Sequence, residues 1–160
     1  MTDKVAIRQF LTGVPGLDQI LGGGLPEFSF NLIAGAPGAG KTTLAQQLMF
    51  ALAGPDRSAV YFTVVGEPPL KMLRYQQQFS FFDVARVNES VRYVNLSQEM
   101  VNGTLDKLLE RITEEVEAAS PGVVSTKVGT SEWMRSTQSY RVPSTTFVLP
   151  YVPSMRVPIP

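Results

Sequence analysis

The sequence predicts an α/β fold, a mostly parallel sheet with helices on both faces. Three observations carry that expectation. Apolar runs of strand composition at 28–34, 58–65 and 91–96 alternate with segments of helical composition. Residues 104–119 repeat apolar side chains at helical spacing. Between the first strand and the first long helix stands Gly35-Ala36-Pro37-Gly38-Ala39-Gly40-Lys41-Thr42, which fits the phosphate-binding pattern G-x-x-x-x-G-K-[ST].

The chemistry behind that loop is specific. Glycines let the backbone fold tightly around an anion with successive N–H groups turned inward as donors. The following helix adds the positive end of its dipole. Gly35, Ala36, Pro37, Gly38, Ala39, Gly40, Lys41, Thr42 and Thr43 are therefore the candidate nucleotide-binding residues. Lys41 can reach the β- and γ-phosphates of a nucleotide, and the Thr42 hydroxyl is placed to ligate Mg²⁺. By residue frequency alone, a random chain of this size matches the pattern roughly once in two hundred. Here the pattern also has the strand before it and the helix after it.

Taken in order, the chain begins with a turn-rich stretch, and Gly22-Gly23-Gly24 stops a short helix around Leu17 to Leu21. Phe28-Ser29-Phe30-Asn31-Leu32-Ile33-Ala34 reads as a buried strand. In the helix beyond Lys41, Leu44, Ala45, Leu48, Ala51 and Leu52 form an apolar stripe, and Gly54-Pro55 ends it. Ser58-Ala59-Val60-Tyr61-Phe62-Thr63-Val64-Val65 is expected inside the parallel sheet, beside the first strand. A turn at Gly66-Glu67-Pro68-Pro69 leads to a helix over 70–79, then to a third strand at 91–96. In the helix at 104–119, Leu105, Leu108, Leu109, Ile112, Val116 and Ala119 share one face. Thr104 caps it and Asp106 complements its dipole.

Composition narrows the function classes. Lys and Arg total 14, as do Asp and Glu, so the net charge is zero and nothing electrostatic points to nucleic acid or an acidic membrane. The absence of cysteine and histidine excludes disulfides, zinc sites and histidine acid–base chemistry. No apolar run approaches membrane-spanning length, and Met1-Thr2-Asp3-Lys4 does not open a signal peptide, so a cytoplasmic protein is expected.

Several other groups have ordinary readings. Gln76-Gln77-Gln78 reads as polar helix surface, and Glu114, Glu115 and Glu117 as a solvated face. Phe79, Phe81 and Phe82 read as core or a subunit contact. Nothing singles out Arg74 or Arg92 for a neighbour's phosphates.

After Ala119 the character changes. Half of the 12 prolines fall in the last forty residues. The first 120 residues hold 10 basic and 13 acidic side chains (net −3), the last forty 4 and 1 (net +3). Apart from a candidate strand at 145–149 no periodicity persists, and the tail reads as poorly ordered or loosely packed.

Thr12-Gly13-Val14-Pro15-Gly16-Leu17-Asp18, Gly22-Gly23-Gly24-Leu25-Pro26 and the phosphate loop together resemble the KaiC-like branch of RecA-type P-loop ATPases. The run Tyr61-Phe62-Thr63-Val64-Val65-Gly66-Glu67-Pro68-Pro69 is similar to that family's next strand and acidic turn. The resemblance covers roughly residues 8 to 122. It implies a RecA-like fold, ATP and Mg²⁺ as ligands, and a homo-oligomer, usually a hexamer with ATP at the subunit interfaces. Lys41 and Glu67 become the catalytic candidates, Glu67 as general base or water-positioning group. Gly66 stands where the family has a first glutamate.

The family next runs into an apolar strand closed by an aspartate that supports Mg²⁺. Here Pro121-Gly122-Val123-Val124 continues into Ser125-Thr126-Lys127-Val128, and no aspartate follows Asp106. The expected organisation is a nucleotide-binding portion at 1–122, incomplete as a RecA-like domain, and an atypical tail at 123–160. The abrupt compositional break leads us to expect a reading-frame change or truncation near Val124, and Val-Asp encoded GTC GAC would read Ser-Thr when shifted by one nucleotide. The alternative is a divergent tail that packs in its own way. Function then divides between an ATP-hydrolysing KaiC-like domain and a nucleotide-binding remnant without turnover. A RadA-like DNA-repair ATPase ranks last, lacking a basic patch and zinc-ligand cysteines.

Overall fold

A computed structural model of the chain describes residues 6–63, 69–102, 104–128 and 145–150. In chain order the elements are β1 (Gln9–Phe10), α1 (Leu17–Ile20), β2 (Leu25–Pro26), β3 (Asn31–Ala34), α2 (Lys41–Leu52), β4 (Ala59–Thr63), α3 (Pro69–Gln76), a 3₁₀ turn (Val84–Arg86), β5 (Val91–Asn95), α4 (Ser97–Asn102), α5 (Leu105–Ala119), β6 (Val123–Val128) and β7 (Thr145–Pro150). β1 and β2 form a small antiparallel pair, and the other five strands make one sheet in the order β3-β7-β6-β4-β5.

β4 lies parallel to both β5 and β6, whereas β7 runs antiparallel to both β3 and β6. β3, β4, β5 and β6 therefore point the same way, and their carboxyl ends share one edge of the sheet. The expected mixed α/β architecture with a mostly parallel sheet is present.

Two apolar layers flank the sheet, and β4 separates them by simple alternation. Ala59 and Tyr61 join the layer of Ala45, Leu48, Met49, Phe50 and Leu52 from α2 and Met72 from α3. Val60 and Phe62 join the opposite layer, with Val94, Leu96, Leu108 and Val124, against which Ile112, Val116 and Ala119 of α5 pack. All five residues of β4 are buried, as a strand covered on both faces should be.

α5 starts where its sequence says it should. Thr104 Oγ1 accepts from the Lys107 N–H at the N-cap, and Asp106 sits in the first turn. Its buried face is narrower than the spacing implies, because Leu109 is exposed. The carboxylates divide too. Glu114 and Glu117 are exposed, but Glu115 is buried and pairs with Arg92 of β5 and with Arg111 one turn earlier. Helical spacing sets Glu115 seven residues after Leu108 and three after Ile112, at the rim of the apolar face, where β5 brings Arg92 to meet it.

The sheet order corrects two expectations. β4 is not beside the first strand, since β7 and β6 stand between them. Nor is β3 a buried strand. It is the sheet's edge among the described residues, with Leu32 57% exposed and Phe30 just before it 62% exposed. Gln76, read as helix surface, is buried. Phe81 and Phe82 pack beside Phe50 with ring centroids 6.1 and 5.1 Å away, as core. Parts of the tail read as loosely packed lie within the sheet as β6 and β7. Residues 129–144 and 151–160 fall outside the described residues.

Two predictions follow from buried polar groups. Glu115→Ala strips two guanidinium partners from the α5–β5 junction and should lower stability by about 1–3 kcal/mol in urea titrations. An unchanged midpoint would show that the pairing contributes nothing. Tyr93 on β5 donates its hydroxyl to Gln46 Oε1, and burial, with the Tyr61 phenol adding to it, holds its pKa well above the ordinary 10.0. The unfolded chain loses that proton as pH rises past about 10 and the folded chain keeps it, so stability should fall there. Tyr93→Phe should flatten this alkaline decline in a stability–pH series.

Candidate functional site

The phosphate loop hangs between the last residue of β3, Ala34, and the first residue of α2, Lys41. Two of its glycines have left-handed backbones, Gly38 at φ 81° and Gly40 at φ 79°. A Cβ built on either would meet no atom within 4 Å, so what these positions require is handedness rather than space. Gly40 is also the N-cap of α2 and caps with no side chain. The N–H groups of Lys41, Thr42 and Thr43 in the first turn consequently have no intrahelical acceptor and no side-chain cap. No acidic residue occupies that turn. These are the features of an anion cradle: free backbone donors, the positive end of a helix dipole, and no competing carboxylate.

Lys41 is buried and folded back over the loop, with Nζ donating to Gly35 O at 2.9 Å and to Ala36 O at 2.7 Å. The ammonium is thus held within the loop by two neutral carbonyls. Phosphate oxygens, being charged acceptors, make stronger partners for it. Thr42 and Thr43 are half-buried at the same helix end. The donor set fits a polyphosphate, and the Thr42 hydroxyl is a hard oxygen of the type Mg²⁺ takes.

The far end of α2 is held by groups that sequence spacing did not single out. Arg86 donates to Phe50 O at 2.9 Å and to Ala53 O at 2.8 Å, and Arg57 Nε donates to Leu52 O at 2.6 Å. Two cations therefore satisfy the carbonyl end of the helix whose other end carries the loop. Midway along, Gln46 is fully buried and takes the Tyr93 hydroxyl, with Met72 Sδ of α3 at 3.9 Å from its Nε2. A hint lay in the sequence, since Gln46 is three and four residues before apolar Met49 and Phe50 on the same helix face. The stripe expected on α2 is also broader than drawn, and it takes in Gln46, Met49 and Phe50 but leaves Ala51 exposed.

The opening motif has a physical role too. Thr12 N–H donates to Asp18 Oδ1 at 2.8 Å, closing the turn around Gly13 at φ 67°. A Cβ on Gly13 would lie 2.6 Å from Ala51 Cβ, so glycine lets this turn sit directly on α2. Gln47 on α2 completes the contact by donating to Gly13 O at 3.3 Å.

At the carboxyl edge of the sheet the registers set out one transverse row: Ile33, Thr146, Lys127, Thr63 and Asn95. Lys127, in the strand expected to close on an aspartate, stands beside the last residue of β4. Glu67 follows that residue by four positions in the sequence and lies outside the described residues, as do Val64, Val65, Gly66 and Pro68. Among the described residues no group of three or more acidic side chains could hold a metal ion.

A family model described as "ATPase: KaiC" matches residues 10–127, nearly three quarters of the chain. The chain belongs to the KaiC ATPase family. Family membership supports nucleotide binding of ATPase type, and the matched stretch ends at Lys127, inside β6. Among curated relatives, a UPF0273 protein of Methanopyrus kandleri is 38% identical over 64 residues, 40% of this chain and 25% of the relative. One from Pyrococcus furiosus is 34% identical over 83 residues, covering 52% of the chain and 33% of the relative. Another from Saccharolobus solfataricus is 26% identical over 133 residues, covering 76% and 47%. The chain thus spans between a quarter and a half of the curated relatives it matches. No helix among the described residues is long and apolar enough to cross a membrane.

The glycines yield a paired prediction. Gly40→Ala forces a side chain into the left-handed region and should cost about 1–2 kcal/mol of stability. At Gly35 a Cβ would only touch Ala39 Cβ at 3.5 Å, an ordinary contact, so Gly35→Ala should melt close to the parent. Equal melting temperatures for the two variants would contradict this account of the loop.

Proposed function

We propose that this chain binds Mg·ATP through Gly35 to Thr43 and takes part in ATP hydrolysis of the KaiC type. The observation that carries the reading is the α2 N-terminus: an uncapped first turn, a left-handed glycine N-cap and a lysine held over the loop by two carbonyls. Lys41 exchanges those carbonyls for terminal phosphate oxygens. Thr42 would hold Mg²⁺, which supplies charge neutralisation between phosphates when bound. Glu67 orients the attacking water from the turn after β4, where a carboxylate beside the transferring phosphoryl group is useful. In this reading residues 1–122 are the nucleotide-binding portion and 123–160 an atypical addition to it. Adenine preference and assembly into a homo-oligomeric ring are inherited from the family, and cytoplasmic residence is the accompanying expectation.

A second reading is favoured by one observation. Lys127 occupies the carboxyl end of β6, beside Thr63, and brings a cation where a metal-supporting carboxylate is expected. On that reading the chain holds nucleotide without turning it over.

One substitution tests what both readings share, and a second separates them. Lys41→Ala should weaken Mg·ATP binding at least about tenfold, the equivalent of losing one charge-assisted hydrogen bond or more. Unchanged affinity, measured by calorimetry, would end the phosphate-loop assignment in both readings. Glu67→Gln should lower phosphate release at least about tenfold while sparing affinity. Equal background release from parent and variant, with binding intact, would favour the reading without turnover.

A further inference from the structure

We infer that β7, drawn from the atypical tail, is the strand that anchors the phosphate loop to the sheet. β3 is only four residues long, and among the described residues its one strand neighbour is β7. The register runs its whole length: Asn31↔Val148, Leu32↔Phe147, Ile33↔Thr146 and Ala34↔Thr145. On its other side β7 pairs with all of β6, from Val123↔Pro150 to Val128↔Thr145. Every backbone link from β3 to β6, β4 and β5 therefore passes through this one strand. Its first residue, Thr145, lies level with Ala34, the residue from which the phosphate loop departs.

The physical requirement is plain. A four-residue strand with no partner leaves its N–H and C=O groups to water and gains nothing to offset the entropy of ordering it, about 1–2 kcal/mol per residue. Ile33 contributes side-chain packing against the α2 layer, but packing alone does not set a strand's height in the sheet. Ladder register does, and a slip of one residue would move Gly35 by about 3.3 Å relative to the first turn of α2. The composition of β7 suits the task, because Thr145, Thr146, Phe147 and Val148 are β-branched or aromatic. The tail thus acts as a positioning element for the loop, taking no direct part in its chemistry.

Hydrogen–deuterium exchange on the whole chain tests this without any ligand. Amides of 31–34 and 145–150 should both exchange at least about tenfold slower than an unstructured chain. Free exchange at 145–150 would overturn the inference, whatever 31–34 does. Val148 pairs with both Asn31 and Ser125, so Val148→Pro cuts the ladder at its centre. This variant should lose protection at 31–34, keep it in β4, β5 and α5, and bind Mg·ATP at least about tenfold more weakly. Val148→Thr, still β-branched, should restore both properties. Parent-like exchange at 31–34 in Val148→Pro would also overturn the inference. Should that variant unfold throughout, exchange in the parent chain decides. The affinity readout rests on the Mg·ATP reading. If the parent binds no nucleotide, that reading fails and exchange alone judges the anchor.

Discussion

The phosphate loop is a short bridge between the end of a strand and the start of a helix, and its use depends on those two ends being held in a single frame. A cradle of backbone donors recognises an anion only when successive N–H groups converge, and neither glycine nor lysine can impose that alone. The molecule meets the demand unevenly. α2 is held along its length by apolar packing, at its middle by the Gln46–Tyr93 hydrogen bond, and at its carbonyl end by Arg86 and Arg57. The opening motif adds a further contact, its Gly13 turn seated on the helix. β3 by contrast is an edge strand held by one neighbour.

This asymmetry bears on how the site meets charge. Lys41 rests on two loop carbonyls, which keep its ammonium from facing the first turn of its own helix without a partner. The cost of parting from these carbonyls is offset when charged oxygens replace them. At the neighbouring edge, Lys127 adds a second cation in the row that ends β4 and β6. The described part of this edge therefore supplies positive charge and backbone dipoles, features suited to holding a polyphosphate. The proposed water-positioning carboxylate, Glu67, comes from a separate stretch of the sequence, four residues after Thr63. In the proposed reading binding and turnover rest on different segments of chain, which is why substitutions at Lys41 and Glu67 can report on them separately.

Much of this was legible in the sequence because local pattern determined it. The loop, α2, β4, β5 and α5 each announced themselves through spacing, caps or a motif, and the direction of the sheet followed from their alternation. What escaped was set by partners distant along the chain. Glu115 reads as solvated by its charge, although its spacing sets it beside Leu108 and Ile112, and β5 supplies the Arg92 that pairs with it there. Gln76 reads as helix surface yet is buried, and the partners of buried Gln46, Tyr93 of β5 and Met72 of α3, come from elsewhere in the chain. Strand order escaped too: the apolar run at 28–34 reads as interior, and nothing local reveals that two other strands separate it from β4. Thr12 and Asp18 stand in the sequence as the two ends of a motif, and the hydrogen bond between them explains the spacing.

The family match ends inside β6 while the sheet continues beyond it, and backbone chemistry explains how both can hold. A slot between two strands selects for extended backbone with unpaired N–H and C=O groups. It reads side chains only through their fit to a pleated surface. A segment such as Thr-Thr-Phe-Val-Leu meets that condition whatever its origin, and antiparallel pairing accepts it slightly more readily than parallel pairing would. Direction is the telling detail. β3, β4, β5 and β6 all run one way, and among the described residues of this sheet the one reversed strand is the one the tail supplies. Its reversed course still satisfies both neighbours along their length, so an atypical sequence can complete the sheet without reproducing the family's pattern. The phosphate loop needs only that β3 be held at the right height, and for that a ladder of either sense suffices.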